Sequence, residues 1–171
     1  GLFVATNVVL AARASMIFLP KFDPEQIMAA MPRATALMGV PTFYVRLLQH
    51  PGLDKEATRH MRLFVSGSAP LLAETHREWQ ARTGHAILER YGMTETNMNT
   101  SNPYDGGRVA GTVGFPLPGV ELRVVDPETG EKLDAEAIGM IEVRGPNVFC
   151  GYWQMPEKTA AGFRKDGFFI T

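Results

Sequence analysis

The chain reads as an α/β protein: the latter part of a parallel sheet layered with helices, followed by a small distorted β-barrel. Two observations predict that order. Across residues 1–105, apolar runs of strand length alternate with amphipathic runs of helix length, with turn residues between them. From Gly111 onward the pattern changes to period two, with Val120, Leu122 and Val124 alternating with Glu121 and Arg123. The polar loop Asn97 to Gly107 lies at the change. It sets the expected boundary between an α/β part, 1–105, and a β-rich part, 106–171.

The elements follow in order. Leu2 to Ala12 is almost wholly apolar and predicts a buried helix over about 2–14. Asn7 and Arg13 interrupt it well short of a membrane span, and no basic leader precedes it. Met16-Ile17-Phe18-Leu19 reads as a short strand. Asp23 suits a helix cap, with Pro24 in the first turn and Gln26 three residues after the cap. Thr35 to Val40 is strand-like and stops at Pro41. A helix from Thr42 to about Gln49 turns Tyr44, Leu47 and Leu48 inward and ends before Pro51-Gly52. The next strand covers 62–66. The next helix runs from Leu71 to Arg82, closed by Gly84. Trp79 lies seven residues after Leu72 and reads as core. Later, Asp126 to Gly130 is a turn, Met140 to Arg144 and Phe168 to Ile170 are strands, and Pro156 to Ala161 is a short helix.

Composition narrows the function. Of 171 residues, 45% are hydrophobic, enough for a real core. Lys and Arg number 17 against 18 Asp and Glu, a net charge of −1 that gives no basic face for nucleic acid. The single cysteine, Cys150, excludes an internal disulfide and suits a reducing compartment, the cytoplasm. It reads as a small packing residue. His50, His60, His76 and His85 lack ligand spacing and read as surface or loop residues. Ser66, Ser68 and Ser101 have no nucleophile context. Glu74 and Glu78, near Arg77 and Arg82, read as a solvated helix face. Asp105 to Arg108 reads as a turn.

One stretch carries chemistry: Leu88-Glu89-Arg90-Tyr91-Gly92-Met93-Thr94-Glu95-Thr96. Tyr91 offers a flat ring to a base, and Gly92 permits close backbone approach. Thr94 can donate to a phosphate oxygen, and Glu95 is a hard oxygen ligand for Mg2+. By itself the stretch is equally a strand running into an ordinary loop. Upstream, Leu63 to Leu71 is an apolar strand that breaks into the small-residue turn Ser66-Gly67-Ser68-Ala69-Pro70. That turn suits a ligand or a helix start capped by Ser68. Downstream, Gly111 to Gly119 precedes the β-rich segment.

In that order and spacing the three stretches resemble the adenylate-forming superfamily: acyl-CoA synthetases, peptide-synthetase adenylation domains and luciferases. Gly139 to Pro146, Gly151-Tyr152-Trp153 and Asp166 to Thr171 extend the resemblance over essentially the whole chain. It implies an internal fragment of the large N-terminal domain, with ATP or AMP, Mg2+ and coenzyme A as the small molecules handled. It implies that Gly67, Ser68 and Ala69 lie against adenine and that Tyr91 stacks on its other face. Thr94 would bond the α-phosphate and Glu95 the metal, both as catalytic residues, with Glu89, Gly92 and Met93 completing the nucleotide stretch. The phosphate loop, the ribose-binding aspartate and the acylation lysine of relatives have no match here, so the fragment alone is expected to be inactive.

The acyl substrate turns on two arginines. Arg90 replaces the small residue that many relatives carry, and Arg46 lies on the helix whose counterpart lines their acyl pocket. A guanidinium can bind a second carboxylate bidentately, which points to a dicarboxylate. Glu89 to Asn102 resembles malonyl-CoA synthetases in particular. Either arginine could instead be a surface residue. A medium-chain or aryl acid–CoA ligase and a peptide-synthetase adenylation domain are the alternative readings. No nucleic-acid or membrane partner is expected, and the sequence leaves the oligomeric state open.

Overall fold

The computed structural model describes residues 2–171, which divide into two compact units. The first comprises the residues up to Tyr91 together with Ser101–Gly114; the second comprises Gly92–Thr100 and Phe115–Thr171.

The first unit alternates helix and strand. Helix α1 spans Leu2–Ala11, and α2, Pro24–Ala30, runs into a 3-10 turn at Met31–Arg33. Strand β1 (Ala36–Gly39), helix α3 (Pro41–Leu48), helix α4 (Lys55–Thr58), strand β2 (Leu63–Ser66), helix α5 (Ala73–Thr83) and strand β3 (Leu88–Tyr91) follow. The two-residue strand β4, Thr100–Ser101, comes next in sequence. β1, β2 and β3 lie parallel in that order, with Leu37 opposite Phe64 and Val65 opposite Leu88. Parallel neighbours need crossovers, which α3 and α5 supply.

Local chemistry explains the boundaries. The Asp23 carboxylate accepts from the Glu25 and Gln26 backbone N–H groups, and the Gln26 amide returns to Asp23 at 2.8 Å. Pro24 stands where a missing N–H costs nothing. Gly84 ends α5 in the left-handed region, φ 82°. The core lies under these helices: Tyr44, Leu47, Phe64, Trp79 and Ile87 are fully buried. The Trp79 ring meets Tyr44 edge-on at 4.9 Å and Phe64 at 5.0 Å.

Several expectations change here. α1 stops at Ala11 and is not buried: Val8 is 48% exposed and Leu10 69%. Val4, Ala5 and Val9 are half-buried. Met16 to Leu19 forms no strand and leaves Phe18 exposed, because no described strand pairs with it. Ser68 does not cap α5; that helix starts at Ala73 with Leu72 as an N-cap lacking a side-chain bond. His76 is buried against Glu89, and His85 meets Phe64 edge-on and bonds the Thr58 carbonyl. Arg82 leaves the solvated face and donates to the carbonyls of Leu48, His50 and Leu53, tying down the end of α3.

The second unit begins with the Gly92 loop and the two-residue strand β5, Phe115–Pro116. β6 (Glu121–Val125), β7 (Met140–Arg144) and β8 (Phe169–Ile170) form an antiparallel sheet in that order. This three-stranded sheet is what the described residues show of the expected barrel. Helix α6 spans Pro156–Gly162. Leu122 faces Val143 across the ladder, and Val143 faces Phe169. Phe149, Phe163 and Phe169 form a ring cluster, Phe149 stacked on Phe163 and edge-on to Phe169. Cys150 is exposed rather than packed. Among the described residues, no helix is long and apolar enough to cross a membrane.

Candidate active site

Open parallel sheets bind ligands outside the carboxyl ends of their strands. In the first unit Gly39 pairs with Ser66, and Ser66 with Glu89. The next residues along, Gly67 and Arg90, therefore meet at that end. A Cβ on Gly67 would lie 3.4 Å from the Arg90 carbonyl oxygen and 3.5 Å from its Cγ. The Arg90 side chain thus runs past Gly67, and its guanidinium meets the Met38 sulfur at 3.9 Å. Burial pulls this half-buried guanidinium below arginine's ordinary range; the nearby Tyr44 hydroxyl acts the other way. Among the described residues no carboxylate pairs with it.

Gly67-Ser68-Ala69 forms the turn at the end of β2. Ser68 and Ala69 are exposed, and Ser68 is held in the left-handed region, φ 70°. Tyr91, half-buried, ends β3. Glu89 is placed differently from its neighbours. Its carboxylate turns inward, 2.8 Å from His76 Nδ1, and accepts from the Gly111 N–H. Asn102 donates twice to the Glu89 carbonyl. These bonds fix the strand that carries Arg90 and commit Glu89 Oε1 to the interior. Arg46 has different neighbours from Arg90: it is exposed, its guanidinium lies 4.4 Å above the Phe22 ring, and it borders a concavity of about 230 Å³ with Glu25, Gln49 and His50.

In the second unit the loop after Gly92 is tightly drawn. A Cβ on Gly92 would fall 1.9 Å from the Asn97 carbonyl oxygen, so the close approach that needs glycine is by the loop itself. Met93, half-buried, accepts from the Thr96 N–H and closes the turn. That turn leaves Thr94 exposed and Glu95 half-buried. The Phe149 N–H donates to the Glu95 carbonyl at 2.7 Å, and the Tyr152 hydroxyl donates to Glu95 Oε1 at 3.1 Å. Burial raises the Tyr152 hydroxyl above tyrosine's usual range, and its bond to the Glu95 carboxylate adds to this. The second Glu95 oxygen has no protein partner among the described residues. A hard carboxylate oxygen so placed, beside the exposed Thr94 hydroxyl, fits the way Mg2+ is held by one or two carboxylates and phosphate oxygens.

The family model for AMP-binding enzymes matches residues 1–153. The chain belongs to the AMP-binding enzyme family. It is similar to MatB of Rhodopseudomonas palustris, solved with ATP bound, at 75% identity and TM-score 0.97, over all of this chain and 34% of that one. A malonyl-CoA ligase solved as a ternary product complex with methylmalonyl-CoA and AMP is 48% identical, over 92% of this chain and 35% of that one, TM-score 0.82. A malonate–CoA ligase of Arabidopsis thaliana is 42% identical over all of this chain and 31% of its own length. The chain thus spans about a third of the length of the curated relatives it matches.

Within this AMP-binding fold the sequence motifs underplayed two residues. Tyr152 lies in the quoted Gly151-Tyr152-Trp153 stretch, yet spacing does not show that it reaches back 57 positions to Glu95. Asn147 donates to the Thr96 and Met98 carbonyls and to Asn99 Oδ1, and nothing local to Gly145-Pro146-Asn147 signals it.

Proposed function

We propose that this segment belongs to an ATP-dependent acid–thiol ligase that converts malonate to malonyl-AMP and then to malonyl-CoA. One observation carries the substrate choice: Arg90 is a half-buried guanidinium at the carboxyl ends of parallel strands, with no carboxylate partner among the described residues. A buried cation without a partner is costly, and a ligand carboxylate is the group that relieves it. The malonate–CoA ligase of Arabidopsis thaliana and the solved malonyl-CoA ligase support the same reading.

In the first half-reaction one malonate carboxylate attacks the α-phosphorus of ATP, and pyrophosphate leaves with the broken P–O bond. Arg90 holds the other carboxylate, which fixes the attacking end in line. Gly67, Ser68, Ala69 and Tyr91 take the adenine, and Thr94 donates to the α-phosphate. Glu95 would hold Mg2+, which neutralises charge on the phosphates. In the second half-reaction the coenzyme A sulfur, having lost its proton, attacks the acyl carbon and AMP departs. Arg46 on Phe22 is an auxiliary cation in this reading. The lone cysteine supports a cytoplasmic setting.

Arg90→Ala in a full-length enzyme carrying this sequence tests the proposal. Steady-state kinetics should show the malonate KM raised on the order of a hundredfold. The ATP KM should change little. The preference for malonate over butyrate should shrink, because no unpaired guanidinium remains to reject the monocarboxylate. An undiminished preference overturns the dicarboxylate reading and favours a medium-chain or aryl acid.

A further inference from the structure

The segment from Gly145 to Trp153 grips the Thr94–Glu95 loop, all within the second unit. Asn147 Nδ2 holds the Thr96 carbonyl at 2.7 Å, the Met98 carbonyl at 3.2 Å and Asn99 Oδ1 at 3.0 Å. Asn97 Nδ2 donates back to the Asn147 carbonyl. Phe149 N–H holds the Glu95 carbonyl, and the Tyr152 hydroxyl holds Glu95 Oε1. The Glu95 main chain and side chain are therefore both fixed from one short stretch.

The Tyr152 donor is itself immobilised. Its backbone N–H donates to Thr159 Oγ1 at 2.9 Å. Phe149 meets its ring edge-on at 4.8 Å, and the Lys158 ammonium lies 4.2 Å from the ring centroid. A tyrosine ring has few torsions, whereas a glutamate has three that a lone carboxylate would sample. Donation to Oε1 selects one rotamer and leaves the other oxygen free.

We propose that Tyr152 is a positioning residue for the Glu95 carboxylate: it occupies Oε1 and so presents the second oxygen to the divalent cation that accompanies ATP. This rests on the reading of Glu95 as the cation ligand. It also explains a tyrosine hydroxyl at this position, since phenylalanine would fill the same space against Phe149 and Lys158. Outer partners of this kind orient metal-bound carboxylates and tune their affinity.

The test uses Tyr152→Phe and Glu95→Gln in the full-length enzyme. Mn2+ binding to the enzyme–ATP complex is followed by the loss of the free Mn2+ signal in electron paramagnetic resonance. Tyr152→Phe should weaken Mn2+ binding on the order of tenfold, and excess Mg2+ should restore pyrophosphate exchange close to the wild-type rate. The malonate KM and the thermal midpoint should stay unchanged. A purely structural role would instead lower the midpoint or the maximal rate and leave the Mn2+ constant where it was. If Glu95→Gln abolishes tight Mn2+ binding while Tyr152→Phe binds as wild type, the Tyr152 proposal is overturned and the Glu95 reading stands. If Glu95→Gln binds Mn2+ normally, both fall together.

Discussion

The two units are held together by different physics. In the first, large rings fill the centre: Trp79, Tyr44 and Phe64 are fully buried and meet edge to face. In the second, the largest group with no solvent contact is a charge. The Glu142 carboxylate accepts from Arg123 at 2.7 Å and from Arg164 at 2.6 Å. Arg123 also grips Asp166, Arg144 grips Glu121, and both guanidiniums cover the Phe168 ring, at 3.9 and 4.5 Å.

The difference separates architectural charge from receptive charge. In the second unit Arg123, Arg144 and Arg164 are each matched by a carboxylate, so their positive charge is spent on the sheet. In the first unit Arg82 is consumed by three carbonyls and Arg46 by an aromatic face. Arg90, pressed against Gly67 and a methionine sulfur, has no carboxylate partner among the described residues, and on the function proposed above its hydrogen-bonding capacity goes to the ligand. The carboxylates divide the same way. Glu142 takes an arginine on each oxygen and Glu89 takes both its bonds on Oε1 inside the fold, whereas the bond to Glu95 comes from the Tyr152 hydroxyl on Oε1 alone.

The largest effects should come from the two centres. Trp79→Ala removes the hub of the ring cluster and should cost about 4 kcal/mol of stability in chemical denaturation. Glu142→Gln leaves two guanidiniums facing a neutral amide and should cost about 3 kcal/mol. Arg164→Met should cost less, because Glu142 keeps Arg123. A loss below about 1 kcal/mol for Glu142→Gln would break the comparison, since the second unit would then stand on its aromatic cluster alone.

How legible this was depends on the range of the interaction. Asp23 with Pro24 and Gln26, Gly84 after α5, and the inward Tyr44, Leu47 and Leu48 are local patterns, and the sequence displays them directly. Met16 to Leu19 has strand-like residues, but a strand also needs a neighbour, which no local pattern reports. His76 and Arg82 looked like solvent-facing residues because their partners, Glu89 and the carbonyls ending α3, lie 13 to 34 positions away. For the candidate site, Arg90, Tyr91, Thr94 and Glu95 stood out as residue types. The Tyr152 bond that orients Glu95 closes over 57 positions and could be seen only in three dimensions.

Gly92 sharpens the comparison at the loop. Its motif position suggests room for a ligand, but the structure places its own chain there, with Asn97 O 1.9 Å and Met98 Cε 2.8 Å from a built Cβ. Gly92→Ala should therefore move the Thr94–Glu95 turn while sparing both cores. In a full-length enzyme of the proposed function adenylation should fall on the order of a hundredfold, with the denaturation midpoint little changed. A rate near wild type would show that the turn tolerates displacement and that its tight closure serves stability alone.

The smallest effect concerns acid, and it distinguishes two ways of lowering a carboxyl. Arg144, by hydrogen bond and then by charge, holds Glu121 below its ordinary 4.5; Arg123 does the same for Asp166, ordinarily 3.8. Asp126 is also held below 3.8, but by the Thr129 and Glu128 backbone N–H groups of its turn. Since each folded value lies below the unfolded one, each contribution is fully present above the ordinary value. It is lost as pH falls through the lowered one. Glu121 and Asp166 are exposed and Asp126 is only half-buried, so the stability involved is small. NMR titration of the side-chain carboxyls should separate them. Arg144→Leu should return Glu121 toward 4.5 and leave Asp126 unmoved. Adding salt to about 1 M should shrink the charge-derived part of the Glu121 and Asp166 shifts and spare Asp126, whose donors are backbone dipoles at fixed distance. Equal salt sensitivity at all three would mean that general field, rather than these particular partners, sets the carboxyls of the second unit.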